Sequence, residues 1–190
     1  KIDISFNQNL DKNFVRDLSS KLVEDVIVST DDKNISQISK EFGDRILFKP
    51  EADPVGPVIA ALQDTESKNT GIFEGNGGLD LVNNFKQGCT GSMPACDIPW
   101  AIVPLWRNLE VGNFEAAEKI QKPLTSLVSV MCSCLDAFIV TEKHLLVRQG
   151  IFRNKEIRRP MEYIPDPLCL EKLDRCFDLL SVAVAGVIDS

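Results

Sequence analysis

The sequence predicts an α/β protein in which parallel strands alternate with helices and a purely helical region follows. Two observations lead to this prediction. In the first half of the chain, short apolar runs alternate with longer stretches whose apolar residues repeat at helical spacing. From Ile98 onward only the helical spacing remains. Strands short enough to be buried on both faces, each followed by a helix, are typical of parallel βα units.

The elements of the first half follow one another in regular order. Residues 2–6 alternate like a strand, and residues 26–28 form an uncharged β-branched run. A short helix ends at Gly43, a residue suited to the left-handed cap of a helix. The predicted strands are 2–6, 26–28, 45–49, 71–74 and 89–93, and the predicted helices between them are 14–22, 35–42, 58–62 and 79–85.

The second half shows no further strand pattern. The predicted helices are 100–109, 114–120, 124–135, 138–148 and 168–180. Pro123 separates two of them, because a proline inside a helix removes a backbone hydrogen bond and kinks or divides the helix. The sequence therefore predicts two domains, a part of a (β/α) barrel at 1–96 and a helical C-terminal region at 97–190.

Two closures of the parallel sheet are possible. An open doubly wound sheet would favour a glycine-rich turn after its first strand, whereas the only glycine-dense stretch, residues 75–78, follows the fourth. We therefore interpret the strands as the last ones of a partial (β/α)8 TIM barrel, a fold that takes about 250 residues. The chain begins with Lys1 rather than methionine, so we expect it to start inside a longer reading frame or after processing.

Charge and composition exclude several classes of partner. The 190 residues carry 28 acidic and 21 basic side chains, a formal charge of −7. This balance repels phosphate, and no basic cluster exceeds Arg158-Arg159, so we expect no binding to nucleic acid or to an anionic membrane surface. No apolar run approaches the roughly 18 residues that a membrane-spanning helix needs, and no secretory signal is visible.

The cysteines and the single histidine predict no metal site. Six cysteines without a CxxC pair offer neither a disulfide framework nor zinc-ligand spacing. Cys132 and Cys134, in a segment that we predict to be helical, would not share a face. We expect buried thiols in a reducing, cytoplasmic protein. His144 has no neighbouring nucleophile and no second histidine in the sequence, so we do not predict a catalytic or metal-binding role for it.

The most informative residue is Lys49, which a predicted apolar strand delivers at its C-terminal end. In α/β barrels these strand ends face the active site. A lysine that is partly desolvated there has a lowered pKa, and its neutral amine can attack a ketone to form a Schiff base. The alternative is an exposed lysine that closes an ordinary strand.

Two glycine-rich stretches come next, residues 73–78, which follow the next predicted strand, and residues 88–94, which surround the one after it. Glycines at strand ends let backbone groups approach a ligand and can direct N–H donors at a carboxylate. Each loop taken alone is equally compatible with a tight βα turn.

In this order, these motifs resemble the second half of the dihydrodipicolinate synthase and N-acetylneuraminate lyase family. The family has Ile-Lys-Glu-Ala at its lysine strand, a glycine-centred turn, a Gly-x-x-Gly strand and a helical tail with Lys-x-x-Leu and Arg-x-Pro patterns. The corresponding segments here are 48–52 (Phe-Lys-Pro-Glu-Ala), 74–76 (Glu-Gly-Asn), 88–91 (Gly-Cys-Thr-Gly), 143–151 and 158–160 (Arg-Arg-Pro). The resemblance covers nearly the whole chain.

The resemblance implies a class I lyase or dehydratase for pyruvate-like or 2-oxo-3-deoxy sugar acids, with Lys49 as the Schiff-base nucleophile. It implies no metal or organic cofactor, a small-molecule substrate and a homo-oligomer, a tetramer in the family. By position, the residues that would line the substrate are Ser29, Gly75, Asn76, Gly91, Ser92 and Met93. The resemblance implies that the Gly75 turn and the strand with Gly91, Ser92 and Met93 line the carboxylate and keto-acid end of the substrate.

The sequence also departs from the family pattern. Ser29 stands where the family usually has a proton-relaying tyrosine, and a hydroxyl of such high pKa cannot relay protons in the same way. The segment from Ser29 to Lys49 is shorter than usual, and the upstream carboxylate-binding motif is missing. We therefore expect the chain alone to be inactive. The alternatives are a catalytically lapsed homologue with a binding or structural role, and an autonomous α/β domain of unrelated function.

Overall fold

A computed structural model describes residues 2–5, 26–30, 46–50, 54–63 and 71–188 of the chain. The chain divides into two compact units. One contains Lys1–Gly77 and Asn83–Met93, and the other contains Gly78–Val82 and Pro94–Ser190.

The first unit carries the strands, and every strand pairing that the described residues show is parallel, as predicted. Strands β1 (Ile2–Ser5), β2 (Val26–Thr30) and β3 (Ile46–Pro50) form one sheet in that order. Strands β4 (Phe73–Glu74) and β5 (Gly91–Ser92) form a second, shorter pair. A single parallel bridge between Phe48 and Ile72 connects β3 to the start of β4.

Strand β3 is buried on both faces, which the absence of charge in residues 46–48 predicts. Ile46 and Phe48 have no exposed surface, and Leu47 on the opposite face is 6% exposed. Helices α1 (Gly56–Gln63) and α2 (Leu81–Lys86) follow β3 and β4 at predicted places. The predicted helices at 14–22 and 35–42 lie outside the described residues.

The second unit contains four longer helices that pack through their apolar faces. They are α3 (Pro99–Glu110), α4 (Phe114–Met131), α5 (Leu135–Arg148) and α6 (Pro167–Ile188). Helix α4 packs mainly against α6 and α3, and its Ile120, Leu124 and Leu127 are fully buried. No helix in the described ranges is long and apolar enough to cross a membrane.

Of the two outcomes predicted at Pro123, a division of the helix is wrong. Helix α4 runs from Phe114 to Met131 with Pro123 inside it. The proline removes one intrahelical hydrogen bond, but Ile120 and Leu124 are fully buried on either side of it. The burial of both residues in one core stabilises the helix across the missing bond, which the local sequence pattern does not reveal.

The prediction that Cys132 and Cys134 lie in one helix is also wrong. Helix α4 ends at Met131, Cys132 caps its C-terminus, and Cys134 caps the N-terminus of α5 with its Sγ 3.4 Å from the Ala137 nitrogen. Both thiols are exposed, as is Cys96, so the prediction of buried cysteines holds only for Cys89 and Cys176, and Cys169 is intermediate. The two thiols are exposed because the turn that joins α4 to α5 lies at the surface.

His144 takes part in a network of charged side chains between α5, α6 and the segment that joins them. His144 is 9% exposed, and its Nε2 lies 2.9 Å from Asp174 Oδ1. Its Nδ1 lies 2.7 Å from the Lys155 ammonium. Arg148 donates to the same Asp174 oxygen at 3.0 Å and also pairs with Asp178. His144 therefore has a structural role in this network, because it joins α5 to α6 and to the segment between them.

Candidate functional site

The candidate site lies at the carboxyl ends of β2 to β5, within the first unit. Lys49 is the next-to-last residue of β3 and is in register with Ser29 of β2. It is partly exposed, whereas Phe48 before it is fully buried. The strand pattern of residues 46–50 thus leads directly from the apolar core to a lysine at the edge of the sheet, where the sequence predicts it.

The bridge between β3 and β4 brings the lysine strand beside the first glycine-rich loop. The Phe48 N–H donates to the Gly71 carbonyl at 2.9 Å, and Phe48 is the parallel partner of Ile72. Continuing this register places the Lys49 backbone beside Phe73, the first residue of β4. The loop that begins at Gly75 therefore starts two residues beyond the level of Lys49.

Strands β4 and β5 approach each other closely because Gly91 has no side chain. Phe73 is paired with Gly91, and a Cβ on Gly91 would lie 2.6 Å from the Phe73 ring. Thr90 reinforces the contact, since its N–H donates to the Ile72 carbonyl at 2.8 Å and its Oγ1 accepts from the Ile72 nitrogen at 2.8 Å. The requirement for glycine at position 91 thus comes from the packing of the Phe73 ring.

Glu74 is the residue of this site that the sequence analysis missed as a functional candidate. It is fully buried at the end of β4 and in register with Ser92. Its Oε1 accepts the main-chain N–H of Asn76 at 2.7 Å, and its Oε2 accepts the Ser92 hydroxyl hydrogen at 3.0 Å. Its main-chain carbonyl accepts from the Met93 N–H at 2.9 Å. The sequence contains one indication of such a role, because Glu74 is a charged residue between an apolar strand and a glycine-rich turn.

These contacts bring four of the predicted substrate-lining residues together. Asn76, Ser92 and Met93 all bond to Glu74, and Gly91 lies under the Phe73 ring. Gly75 lies between Glu74 and Asn76, and Gly77 completes the turn with a positive φ of 64° that other residues rarely adopt. Ser29 belongs to the site through its backbone pairing with Lys49.

A buried thiol lies next to this group. Burial raises the pKa of Cys89 above its ordinary value, and the thiol donates to the Gly91 carbonyl, 2.9 Å from Sγ. The thiol therefore stays protonated and packs as a small apolar side chain. Within the described part of the chain, no three His, Cys, Asp or Glu side chains come together as a metal site requires.

Known structures share the fold over most of this chain. A dihydrodipicolinate synthase from Rhodopseudomonas palustris is 17% identical with a TM-score of 0.74, and the match covers 94% of this chain and 65% of that one. The 4-hydroxy-tetrahydrodipicolinate synthase of Methylacidiphilum fumariolicum SolV is also 17% identical, with a TM-score of 0.79 and 98% and 66% coverage.

The chain has the dihydrodipicolinate synthase fold. A sialic acid aldolase of Ruminococcus gnavus, whose catalytic lysine was mutated, shares it at a TM-score of 0.71 and 14% identity, with coverage of 97% of this chain and 65% of that one. No family model and no curated protein matches the sequence. The structural neighbours therefore support the resemblance to the dihydrodipicolinate synthase family at the level of the fold. The chain spans about 65% of the length of these synthases.

Proposed function

We propose that this chain forms part of a Schiff-base-forming lyase or dehydratase that acts on a 2-oxo acid, with Lys49 as the covalent nucleophile. One observation carries the proposal. Lys49 lies at the carboxyl end of a buried parallel strand, in a fold shared with a sialic acid aldolase that has a catalytic lysine. The carboxyl ends of parallel strands are where α/β enzymes place their reacting groups.

The proposal includes the architecture of the complete enzyme. In it, β1 to β5 are the last strands of a (β/α)8 barrel at residues 1–96, and residues 97–190 are its helical C-terminal region. The match to about 65% of the length of a dihydrodipicolinate synthase supports the view that the chain is part of a longer enzyme. Upstream strands would supply the remainder of the substrate site. We extend the proposal to a cytoplasmic homo-oligomer that uses neither a metal nor an organic cofactor.

The chemistry starts with a neutral amine on Lys49. Its nitrogen lone pair attacks the keto carbon, the π electrons of the carbonyl move to oxygen, and the carbinolamine loses water to give an iminium ion. In a cleavage, a base removes the proton of the substrate hydroxyl and the iminium accepts the electron pair of the carbon–carbon bond that breaks, and the resulting enamine is then protonated. In a dehydration, a base removes a proton from the carbon next to the iminium, which accepts the electron pair of that C–H bond, and the resulting enamine expels the hydroxyl of the following carbon as water together with the C–O electron pair. In both reactions water then attacks the iminium, which releases the product and restores the lysine.

The neighbouring residues would position the substrate for these steps. In this proposal Gly75 and Asn76 line one side through the turn after β4, and Gly91, Ser92 and Met93 line the other from β5. Ser29, the backbone partner of Lys49, lies on the third side. A proton relay would have to come from elsewhere, because a serine hydroxyl is a poor acid and base.

A catalytically lapsed homologue is the second candidate, and Ser29 favours it. Without a tyrosine at this position, the chain could keep the lysine strand for packing and bind a ligand without turnover. An autonomous α/β domain of unrelated function is a further alternative, in which the lysine has no covalent role.

Borohydride trapping separates these candidates. The longest polypeptide that the gene encodes is incubated with pyruvate or a 2-oxo-3-deoxy sugar acid and sodium borohydride, and its peptides are mapped by mass spectrometry. We expect a stable adduct on the peptide that carries Lys49. Lys49→Ala should abolish the adduct, and Lys86→Ala, at an exposed position at the end of α2, should leave it unchanged.

A stability measurement completes the experiment. The melting temperature of the Lys49→Ala variant should stay close to that of the wild type, because Lys49 is partly exposed. Folded protein that forms no adduct with either acid would overturn the enzyme proposal in favour of the lapsed homologue. A variant that loses its fold would instead assign the lysine a structural role.

A further inference from the structure

Glu74 is buried, and its carboxylate connects three separate pieces of the candidate site. One oxygen holds the turn after β4 through the Asn76 N–H at 2.7 Å, and the other accepts from the Ser92 hydroxyl of β5 at 3.0 Å. The residue itself ends β4, one position beyond Phe73. Hydrogen bonds to a carboxylate are shorter and stronger than those between neutral groups. The geometry of both glycine-rich loops thus depends on one side chain.

The direction of the Ser92 hydrogen bond determines what Ser92 can offer a ligand. A serine hydroxyl has one hydrogen and two lone pairs. Because the hydrogen points to Glu74, only the lone pairs remain for the ligand. Ser92 is partly exposed and can therefore accept a hydrogen bond from a neighbouring molecule.

We propose that Glu74 is a positioning residue that makes Ser92 a hydrogen-bond acceptor for a hydroxyl group of the substrate. This inference rests on the proposed function, and it names the substrate class as a hydroxylated 2-oxo acid. A carboxylate has no hydrogen to donate, and it would be repelled by the charge of Glu74. The carboxylate of the substrate therefore lies away from Ser92, which differs from the carboxylate-lining position that the resemblance implies for this residue.

Glu74→Gln provides a selective test because it reverses the polarity of Ser92. The glutamine amide can still accept from Asn76 with its oxygen, but its NH2 group then donates to the Ser92 oxygen. The serine hydrogen becomes available to the ligand, and the acceptor is lost. Ser92→Ala removes the hydroxyl from the partly exposed position and tests the same contact if Glu74→Gln fails to fold.

The experiment measures equilibrium binding by calorimetry on the longest polypeptide, in a Lys49→Ala background that cannot form an imine. Pyruvate, which has no hydroxyl, is compared with a 2-oxo-3-deoxy hexonate. We expect Glu74→Gln to weaken binding of the hexonate about tenfold and binding of pyruvate by less than about twofold. Ser92→Ala should act similarly, and the double variant should lose no more than either single one. Glu115→Gln, on the exposed side of α4, is the matched charge control.

The results distinguish this inference from the proposed function. If the variants bind both acids equally more weakly, or if the ratio of the two dissociation constants stays unchanged in folded variants, the role of Glu74 is overturned. If binding of the hexonate depends on Glu74 as expected but the wild-type protein traps no adduct, only the Schiff-base proposal fails. An adduct on Lys49 together with a ratio insensitive to Glu74 and Ser92 overturns only the present inference. Binding of neither acid would overturn both.

Discussion

The thiol of Cys96 donates to Glu142 Oε1 at 3.0 Å, and the Cys96 N–H donates to the same oxygen at 3.2 Å. This pair joins the segment before α3 to the middle of α5. The hydrogen bond to Glu142, followed by burial, raises the pKa of the thiol to about 11. Cys96 is therefore exposed and yet protonated at neutral pH. Because the thiolate is the reactive form, we expect this accessible thiol to react slowly.

This relationship predicts the order in which the cysteines react. At pH 8, iodoacetamide should label the exposed Cys132 and Cys134 well before Cys96, as measured by peptide mass spectrometry over time. Glu142→Gln should increase the rate of labelling at Cys96 about tenfold or more, because the pKa of the thiol falls and more of it is thiolate at pH 8. The buried Cys89 is the unreactive internal control. Labelling of Cys96 in the wild type as fast as that of Cys134 would contradict this account.

Asp97 should make stability depend on pH. It is fully buried, and neither of its carboxylate oxygens has a hydrogen-bond partner among the described residues. Burial, with a contribution from the charge of Glu142, raises its pKa to about 7. The folded state therefore holds a proton that the unfolded chain releases above about pH 4, so stability falls as pH rises from about 4 to about 7.

Asp97→Asn removes this ionisation. The variant should be roughly 2–4 kcal/mol more stable than the wild type at pH 8 and close to it below about pH 4. Urea denaturation at the two pH values measures the difference, and Asp80→Asn, at an exposed position, serves as the control. A variant that is destabilised equally at both pH values would show that Asp97 is needed for packing rather than carrying a buried proton.

Asp174 should have the opposite pH dependence. Burial raises its pKa, but the hydrogen bonds and charges of His144 and Arg148 outweigh burial and lower it. The stabilisation is therefore present above the unfolded pKa of about 3.9 and is lost as the pH falls through the lower folded value.

Because the Asp174 carboxylate is partly exposed, solvent screening limits its effect. We expect Asp174→Asn to cost about 1 kcal/mol at pH 7 and progressively less as the pH falls below about 3.9. Asp178→Asn, which removes a more exposed partner of Arg148, should cost less. Equal effects of the two substitutions in urea unfolding at pH 7 would refute the role assigned to His144.

Two glycine substitutions should act in opposite directions. Gly91→Ala places a methyl group 2.6 Å from the Phe73 ring, so it should destabilise the protein by roughly 1–3 kcal/mol and reduce trapping at Lys49. Gly186→Ala meets nothing within 4 Å in α6 and should stabilise it by about 0.5–1 kcal/mol. Thermal melting measures both variants. If Gly91→Ala left the melting temperature unchanged, Phe73 would have to move freely away from β5.

The hydrophobic pattern of the sequence determines much of this fold. The order of strands and helices, the parallel pairing of the strands, the helical second half and the position of Lys49 at the end of β3 all follow from local patterns. These features depend on the spacing of apolar residues within one element, and that spacing is written in consecutive residues.

Contacts between distant residues were decided by the tertiary structure. The continuous helix through Pro123 depends on a core to which its neighbours contribute, and the exposure of Cys132 depends on where α4 ends. The bonds of Glu74 to Asn76 and Ser92 join residues up to 18 positions apart in the chain. The sequence by itself therefore determined which residues reach the edge of the sheet. Only packing decided which of them meet there, because the direction and burial of a side chain depend on residues far along the chain.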